Sequence, residues 1–208
     1  MKVHPEDRTG LRPEPGPRPR GTVRVARMRR RDLRSVLRID AQQDQKGWSV
    51  GLYLAELRRT ADRLYVSAHV GGRVAGFAGV LFQDEDAHVT TIAVDRDLRG
   101  IRIATRLMLV VARASIAHGC QNLTLEVRAA NEPAIALYRR FGLAPAGIRK
   151  NYYADIGEDA LIMWGHELDS PRYATRLAAI DASLAAPTVV DGIDLLRPGT
   201  DEREGPRP

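Results

Sequence analysis

The order of elements predicts a mixed β-sheet covered by helices, within the α/β (α+β) class. Hydrophobic periodicity predicts a strand, two helices, three consecutive strands, a helix, a strand, a helix and two strands. The interleaved helices and the three consecutive strands together favour a mixed sheet over a doubly wound parallel one. The dinucleotide-binding pattern GxGxxG is also absent, which argues against an NAD-binding fold.

The first half of the predicted domain has a clear signal for each element. Residues 22–28 alternate like a strand, and Asp32 is predicted to cap a first helix. Further elements are predicted as a helix over 50–60 and strands over 64–70, 74–82 and 88–94. Gly71 and Gly72 suit the hairpin turn between the first two of these strands.

The second half begins with a long helix predicted over Ile103–His118, where Gly119 suits the C-terminal end. A strand follows over 123–127. Asn131 is predicted to cap a short helix that ends before Gly142. Two last strands are predicted over 146–152 and 160–164.

Composition limits the class of protein. The 208 residues are 44% hydrophobic and 28% charged, which is ordinary for one globular domain with tails. The sequence contains no membrane-length apolar stretch and no signal-like N-terminus, so we expect a cytoplasmic protein without a membrane partner. The single cysteine, Cys120, excludes an intramolecular disulfide and a multi-cysteine zinc site, and we expect it to be buried and inert.

The composition also divides the chain. Residues 1–21 are rich in proline and arginine and are predicted to be a disordered arm, more plausibly solubilising than RNA-binding. Residues 22–168 form the predicted domain. An amphipathic helix capped by Ser170 is predicted over 169–186, and a flexible tail over 187–208. The net charge of +6 fits either a solvated surface or attraction for an anionic ligand.

The loop between the strand ending at Val94 and the helix beginning near Ile101 indicates an anion site. Free amide groups and the dipole at the start of a helix favour negative charge. Four arginines surround this loop, namely Arg96, Arg99, Arg102 and Arg106. Solvated arginines on an ordinary connection are the alternative.

Two side chains in the second half are candidates for chemistry. In the strand LTLEVR, Glu126 lies on the face opposite Leu123 and Leu125, so its carboxylate is either solvated or part of a site. Tyr138 lies on an amphipathic helix, where by itself it indicates a tyrosine at the edge of the core.

Several blocks in register resemble the GNAT superfamily, and within it the RimI-type ribosomal-protein alanine N-acetyltransferases. These blocks are LEVRxxN from Leu125, ALYxxxG from Ala136, RKNYY from Arg149 and EDALIM from Glu158. The loop RGIRIA, residues 99–104, matches the first and last positions of the family pattern Gln/Arg-x-x-Gly-x-Gly/Ala, but Arg102 replaces its central glycine. The resemblance covers about residues 24–168 and implies the GNAT acyltransferase fold, with about seven strands.

The resemblance implies acetyl transfer from acetyl-CoA, the co-substrate, to the N-terminal amine of a protein, with a ribosomal protein as one candidate. No metal and no direct nucleic-acid binding are expected. Glu126 is then the general base that deprotonates the amine, and Tyr138 the general acid that protonates the leaving thiolate. The implied acetyl-CoA contacts are Ile92, Ala93, Val94, Arg99, Gly100, Ile101, Arg102, Ile103, Ala104, Thr105 and Asn131. The implied acceptor contacts are Trp48, Tyr152 and Tyr153.

Three alternatives stay open at this point. The same fold could acetylate a lysine, a polyamine or an antibiotic amine. Because of Arg102, the chain could instead be a degenerate acyl-CoA sensor without turnover. The basic arm could also bind RNA or the ribosome. Lys46 stands where the family pattern has an apolar residue, which leaves the preferred first residue of the acceptor open.

Overall fold

The computed structural model describes residues 22–43 and 47–195, and within these ranges the chain forms eight strands and five helices. The strands are β1 (Val23–Arg27), β2 (Arg63–Val70), β3 (Arg73–Gln83), β4 (Asp86–Val94), β5 (Asn122–Arg128), β6 (Ala144–Tyr153), β7 (Glu158–Gly165) and β8 (Thr188–Asp191). The helices are α1 (Leu33–Asp40), α2 (Val50–Glu56), α3 (Ile103–His118), α4 (Glu132–Arg140) and α5 (Pro171–Ala182). Short 3-10 turns cover Arg30–Asp32 and Arg96–Leu98.

The strands form one mixed sheet in the order β6-β7-β5-β4-β3-β2-β1-β8. The β4–β5 and β1–β8 pairs are parallel, and the other neighbours are antiparallel. The predicted fold class is therefore confirmed, with eight strands where about seven were expected. The additional strand is β8, at the edge of the sheet.

Helices cover both faces of the sheet. Alternate residues of β2 enter different apolar clusters, since Leu64 and Val66 pack with α3 and α5 while Tyr65 packs with α1 and α2. Helix α3 lies in the larger cluster and is buried along most of its length. Helices therefore enclose the sheet from both sides. Because α3 is held in the larger cluster, the loop that leads into it from β4 is held in place as well.

The predictions for the ends and caps of the helices are partly confirmed and partly wrong. The helix over Ile103–His118 is confirmed, and Gly119 follows it with a φ of 96°. The prediction that Asp32 caps α1 is wrong, because its carboxylate instead accepts hydrogen bonds from the Arg29 amide and the Ser67 hydroxyl. Helix α2 ends at Glu56, four residues before the predicted end. Ser170 caps α5 as predicted, with its hydroxyl 3.1 Å from the Tyr173 amide.

The predicted flexible tail from residue 187 is wrong over Thr188–Asp191, which form β8. This strand pairs with β1, and the Thr188 hydroxyl accepts a 2.6 Å hydrogen bond from Arg106 on α3. The strand forms because β1 offers an unpaired edge, which local composition does not reveal. The predictions for residues 1–21 and 196–208, and for Lys46, lie outside the described residues.

Candidate active site

The sheet opens between its two central parallel strands. Strands β4 and β5 pair only where Asp86–His88 meet Asn122–Thr124. Beyond this point the register of β4 against β3 shifts, because Gly79 pairs with Thr91 and Val80 with Val89, so that Thr90 is an extra residue. Such a bulge bends its strand and redirects side chains. The bend separates β4 from β5 and leaves room for a ligand between them.

Two neighbouring clefts occupy this opening. The strand cleft is lined by residues of β4 and β5 together with Asp40, Gln43, Asn131, Tyr138 and Tyr153. The helix cleft has a volume of about 750 Å³ and lies between the end of β4, the loop before α3, the start of α3, and α4. Tyr138 and Asn131 line both clefts, so the two spaces meet at these side chains.

Glu126 lies in the strand cleft between two basic side chains. Its Oε2 is 3.1 Å from Nε2 of His88, and its Oε1 is 3.2 Å from Nη2 of Arg149. The Glu126 side chain is only 9% exposed, whereas Arg149 is 54% exposed. The carboxylate is therefore held from both sides, by the imidazole of His88 and the guanidinium of Arg149.

Tyr138 is buried on α4 and faces the same cleft as Glu126. Burial raises the pKa of its phenol well above the ordinary value, and nearby Tyr153 adds to this effect. A phenol with a raised pKa keeps its proton throughout the neutral range. Tyr138 is therefore available as a proton donor.

The predicted acceptor residues do not all reach the cleft. Tyr153 lines it, and burial, followed by the charges of Tyr152 and Glu126, raises the pKa of its phenol to about 12. Tyr152 is 48% exposed and stands edge-on to Tyr153, with Arg149 over its ring. Trp48 packs instead against Tyr53 and Tyr65, behind the cleft wall.

Trp48 is still linked to the strand cleft through Asp40. The Trp48 amide donates a 2.8 Å hydrogen bond to the Asp40 carboxylate, which also accepts from the Tyr53 hydroxyl. A side chain at Gly47 would meet that carboxylate oxygen at 2.9 Å, closer than a Cβ can stand. Any larger residue at position 47 would therefore displace the Asp40 carboxylate from its contacts with Trp48 and Tyr53.

The helix cleft contains most of the predicted acetyl-CoA residues. Its lining includes Ile92, Ala93, Val94, Arg99, Gly100, Arg102, Ile103, Ala104, Thr105 and Asn131. The exception is Ile101, whose side chain packs against the main apolar cluster. Asn131 also caps α4, because its Oδ1 accepts a 3.2 Å hydrogen bond from the Ala134 amide.

The backbone conformation of Arg102 explains why the family pattern has glycine at this position. It takes the left-handed conformation, with φ 66° and ψ 23°, immediately before α3. This region costs a side-chain-bearing residue about 1–2 kcal/mol and costs glycine nothing. The side chain of Arg102, the N-cap residue, does not cap the first amides of α3, and Gly100, at φ 82°, has open space on its Cβ side. The uncapped amides and the open loop suit an anionic group.

Cys120 has no place in this chemistry. It is fully buried, and burial, followed by the charge of Asp86, raises the pKa of its thiol to about 11. The ring of His118, two residues away, stacks on Phe82 instead. The expectation of a buried, inert cysteine agrees with these contacts.

The described parts of the chain offer neither a metal-binding cluster nor a membrane-spanning helix. No group of three or more histidine, cysteine, aspartate or glutamate side chains there could hold a metal ion. No helix in the same ranges is long and apolar enough to cross a membrane.

Sequence reasoning missed the partners of Glu126. His88 and Arg149 reach it from β4 and β6, and Arg149 was noted only as part of a matching block. His88 was the first residue of a predicted strand, but nothing in one sequence places β4 beside β5. A charged partner for a buried carboxylate was the available signal, since such groups are rarely buried unpaired.

Comparison with known proteins agrees with this architecture. The model of the Acetyltransferase (GNAT) family matches residues 25–143. The chain is 37% identical over 140 residues to the Bacillus subtilis (strain 168) protein named "Putative ribosomal protein bS18-alanine N-acetyltransferase", covering 67% of this chain and 93% of that protein. It is 31% identical over 150 residues to N-alpha-acetyltransferase RimI of Mycobacterium tuberculosis, covering 68% and 90%.

A solved structure gives the same result. The ribosomal-protein-S18-alanine N-acetyltransferase of Escherichia coli superposes with a TM-score of 0.64 at 29% identity, covering 70% of this chain and 94% of that one. The fold and the divided central strands are those of an acyltransferase. The chain belongs to the Acetyltransferase (GNAT) family, in which it is a RimI-like N-acetyltransferase.

Proposed function

We propose that this N-acetyltransferase transfers the acetyl group of acetyl-CoA to the N-terminal α-amino group of a protein, with a ribosomal protein as the acceptor. The observation that carries the proposal is that Glu126 and Tyr138 face one cleft at the point where β4 and β5 separate. The names of the relatives from Bacillus subtilis and Mycobacterium tuberculosis, which describe ribosomal-protein alanine or α-amino acetylation, support the choice of acceptor.

The helix cleft is the proposed site of acetyl-CoA, which supplies the reactive thioester when bound. The first amides of α3 and the open loop at Gly100 fit a pyrophosphate, because both offer donors without an obstructing side chain. Arg99 and Arg102 line the same cleft and add positive charge. Ile92, Ala93 and Val94, at the end of β4, also line this cleft.

Glu126 is the proposed general base. A protein α-amine has an ordinary pKa of about 7.7–8.0, so much of it is protonated at neutral pH and cannot attack. A carboxylate can accept this proton directly or through one water. Because His88 and Arg149 hold both carboxylate oxygens, the base is already oriented before the acceptor arrives.

Tyr138 is the proposed general acid. The coenzyme A thiolate leaves more easily when it is protonated, and the donor must therefore carry a proton at working pH. Burial keeps the Tyr138 phenol protonated, and its presence in the lining of both clefts supports a position between thioester and acceptor. Tyr153, which also lines the strand cleft, is proposed to offer its phenol to the main chain of the acceptor peptide.

The test compares two peptides that start with alanine and contain one lysine, identical except that one has a blocked α-amine. With acetyl-CoA, mass spectrometry with fragmentation should find one acetyl group, on the free α-amine, and none on the blocked peptide. Matched peptides starting with Ser, Met and Gly define the first-residue preference. Acetylation of the lysine in the blocked peptide would instead indicate a side-chain acetyltransferase. Coenzyme A binding without turnover on any peptide would indicate a sensor.

A further inference from the structure

A third cleft, which is polar, lies beside the 3-10 turn Arg30–Asp32 and helix α1. We call it the arginine cleft. Its volume is about 530 Å³, and its lining comprises Arg24, Arg31, Asp32, Ser35, Arg38, His69, Gly72, Arg73 and Val74. Four arginines and one histidine therefore surround a space that contains a single carboxylate, and nothing in the proposed acetylation uses it.

The one carboxylate in this cleft, that of Asp32, already accepts hydrogen bonds from other groups of the protein. Asp32 is buried and accepts hydrogen bonds from the Arg29 amide and from the Ser67 hydroxyl, at 2.9 and 3.0 Å. Ser67 lies in turn 3.0 Å from Nε2 of His69. Burial lowers the pKa of His69, and the positive charges of Arg24 and Arg31 lower it further against the opposing effect of Asp32. The lining therefore holds more cationic than anionic side chains, and its one carboxylate is engaged by donors inside the protein.

The arginines are only partly neutralised. Arg24 pairs with Asp191 at 3.1 Å, and Arg38 with Asp95 at 2.6 Å. Arg31, Arg34 and Arg73 are exposed, and no acidic side chain among residues 22–43 and 47–195 forms an ion pair with them. Three guanidinium groups therefore remain available to a ligand at one place on the surface.

The spacing of these arginines is unfavourable without such a ligand. Arg31, Arg34 and Arg38 follow one another at intervals of three and four residues along the 3-10 turn and α1, which places them on one face. Like charges at this spacing repel each other. An anion with several charges would turn this repulsion into attraction, and guanidinium groups bind phosphate oxygens in a bidentate manner.

We propose that the arginine cleft and the adjoining Arg34 bind the phosphate backbone of RNA. A stripe of cations that extends from α1 to the β2–β3 turn suits successive phosphates better than one isolated phosphate ion. A membrane surface is disfavoured, because membrane-binding faces combine basic with exposed apolar side chains. Among the described residues, none of the large exposed apolar side chains lines the cleft, and Val189 adjoins it as the strand partner of Arg24; the others are Val50, Leu52, Ile148, Tyr152 and Ile156.

The arginine cleft lies near the strand cleft, where the acceptor protein is proposed to bind. The two clefts share helix α1, because Arg38 lines the arginine cleft and Asp40, two residues further along the helix, lines the strand cleft. RNA bound there would keep a protein associated with it close to Glu126. The choice of RNA over other polyphosphates rests on the proposed ribosomal-protein acceptor. The proposal departs from the expectation of no direct nucleic-acid binding.

The experiment measures the binding of a fluorescein-labelled, single-stranded RNA of 20 nucleotides to the full chain by anisotropy, over a range of KCl concentrations. The test variant is Arg31→Gln/Arg34→Gln/Arg73→Gln. The control variant is Arg58→Gln/Arg139→Gln/Arg172→Gln, which removes the same charge from exposed arginines outside all three clefts. Thermal unfolding of both variants checks that they fold.

The proposal predicts that the test variant binds RNA at least about 10-fold more weakly at 100 mM KCl. The slope of log K against log salt should also become shallower by about 2, because three phosphate contacts are lost. The control variant should stay within about twofold of the wild type. Equal weakening in both variants would show attraction by net charge alone and would overturn the proposal, as would a wild-type chain that does not bind RNA.

Three further measurements test whether a small anion, a membrane surface or the N-terminal arm accounts for the binding instead. Inorganic phosphate that displaces RNA at constant ionic strength would reassign the cleft to a small anion. Wild-type protein that binds phosphatidylserine vesicles but not RNA would reassign it to a membrane surface. Deletion of residues 1–21 that abolishes binding, while the test variant retains it, would reassign binding to the arm. Acetylation of the free alanine peptide, assayed in parallel, should be unchanged in both variants, so failure of RNA binding is separable from failure of the proposed function.

Discussion

Nε2 of His88 lies 3.1 Å from Oε2 of Glu126, across the last paired step of β4 and β5. Glu126 lies two residues beyond this step along β5, where β4 and β5 are no longer paired. The imidazole therefore replaces main-chain pairing as the contact that fixes the carboxylate at the mouth of the cleft, together with Arg149.

His88→Ala should lower kcat about 10- to 100-fold, because a carboxylate displaced by about 1 Å is a poor base. The KM for acetyl-CoA should stay within about twofold, since His88 does not line the helix cleft. His88→Gln retains a donor and should recover most of the activity. Steady-state kinetics on an alanine-starting peptide provide the measurement. A His88→Ala enzyme with unchanged kcat would show that Glu126 needs no such support.

Tyr138→Phe should lower kcat about 100-fold and leave the melting temperature nearly unchanged, because the ring still fills its buried site. The sign of the pH dependence follows from the raised pKa of the phenol. A proton donor with a pKa above the ordinary value of about 10 stays protonated as the pH rises, so kcat should not decline between about pH 8 and 9.5 through loss of this proton. A declining limb in this range that Tyr138→Phe lacks would contradict the buried, protonated state.

The cost of the left-handed conformation at Arg102 can be separated from the contribution of its charge. Arg102→Gly and Arg102→Ala both remove the guanidinium, but only glycine relieves the backbone. The glycine variant should be more stable than the alanine variant by about 1 kcal/mol in urea unfolding. Both should raise the KM for acetyl-CoA by the same factor, of about 3 to 10, as expected for loss of one exposed charge–phosphate contact. An unchanged KM in both would show that the side chain turns away from the cofactor.

Asp95 links the loop before α3 to α1, because its buried carboxylate accepts a 2.6 Å hydrogen bond from Arg38. Burial alone would raise its pKa, but the hydrogen bonds from Arg38 and the Asp97 amide outweigh this effect, and the pKa is lowered. A carboxylate whose pKa is lowered by folding stabilises the protein above its unfolded value of about 3.9, and this contribution is lost as the pH falls through the folded value.

Asp95→Asn should therefore lower the free energy of unfolding by about 1–3 kcal/mol at pH 7, and the difference should shrink below about pH 4. The control is Asp191→Asn, which removes the carboxylate of the exposed pair with Arg24 and should cost about 0.5 kcal/mol or less. Urea unfolding at several pH values measures both. A cost at Asp95 that persists undiminished at acid pH would rule out the charge as its origin.

Much of the fold follows from local signals in the sequence. Helical periodicity, together with Gly119 as the residue after the last turn, predicts both ends of α3 correctly. The alternation of apolar and polar residues in β5 is sufficient to place Glu126 on its polar face. Features that depend on contacts distant in sequence did not follow. Strand β8 depends on the free edge of β1, and Asp32 is engaged by Ser67, which lies 35 residues away.

The same distinction holds within the site. Resemblance to a known family indicated Glu126, Tyr138 and the loop before α3, and the structure brings these together around two joined clefts. The placement of Trp48 behind the cleft wall and of Ile101 in the apolar cluster depends on packing, which a motif does not encode. The contacts of Glu126 with His88 and Arg149 depend on the separation of β4 from β5, which no periodicity reports.

The role of Glu126 is the central claim, and Glu126→Gln tests it most directly, because the amide keeps the shape of the side chain and removes its basicity. The measurement is kcat on an alanine-starting peptide, with acetyl-CoA affinity determined on the same protein by calorimetry. We predict that kcat falls about 100- to 10,000-fold while the affinity for acetyl-CoA changes by less than about threefold. A Glu126→Gln enzyme that retains wild-type turnover would contradict the account.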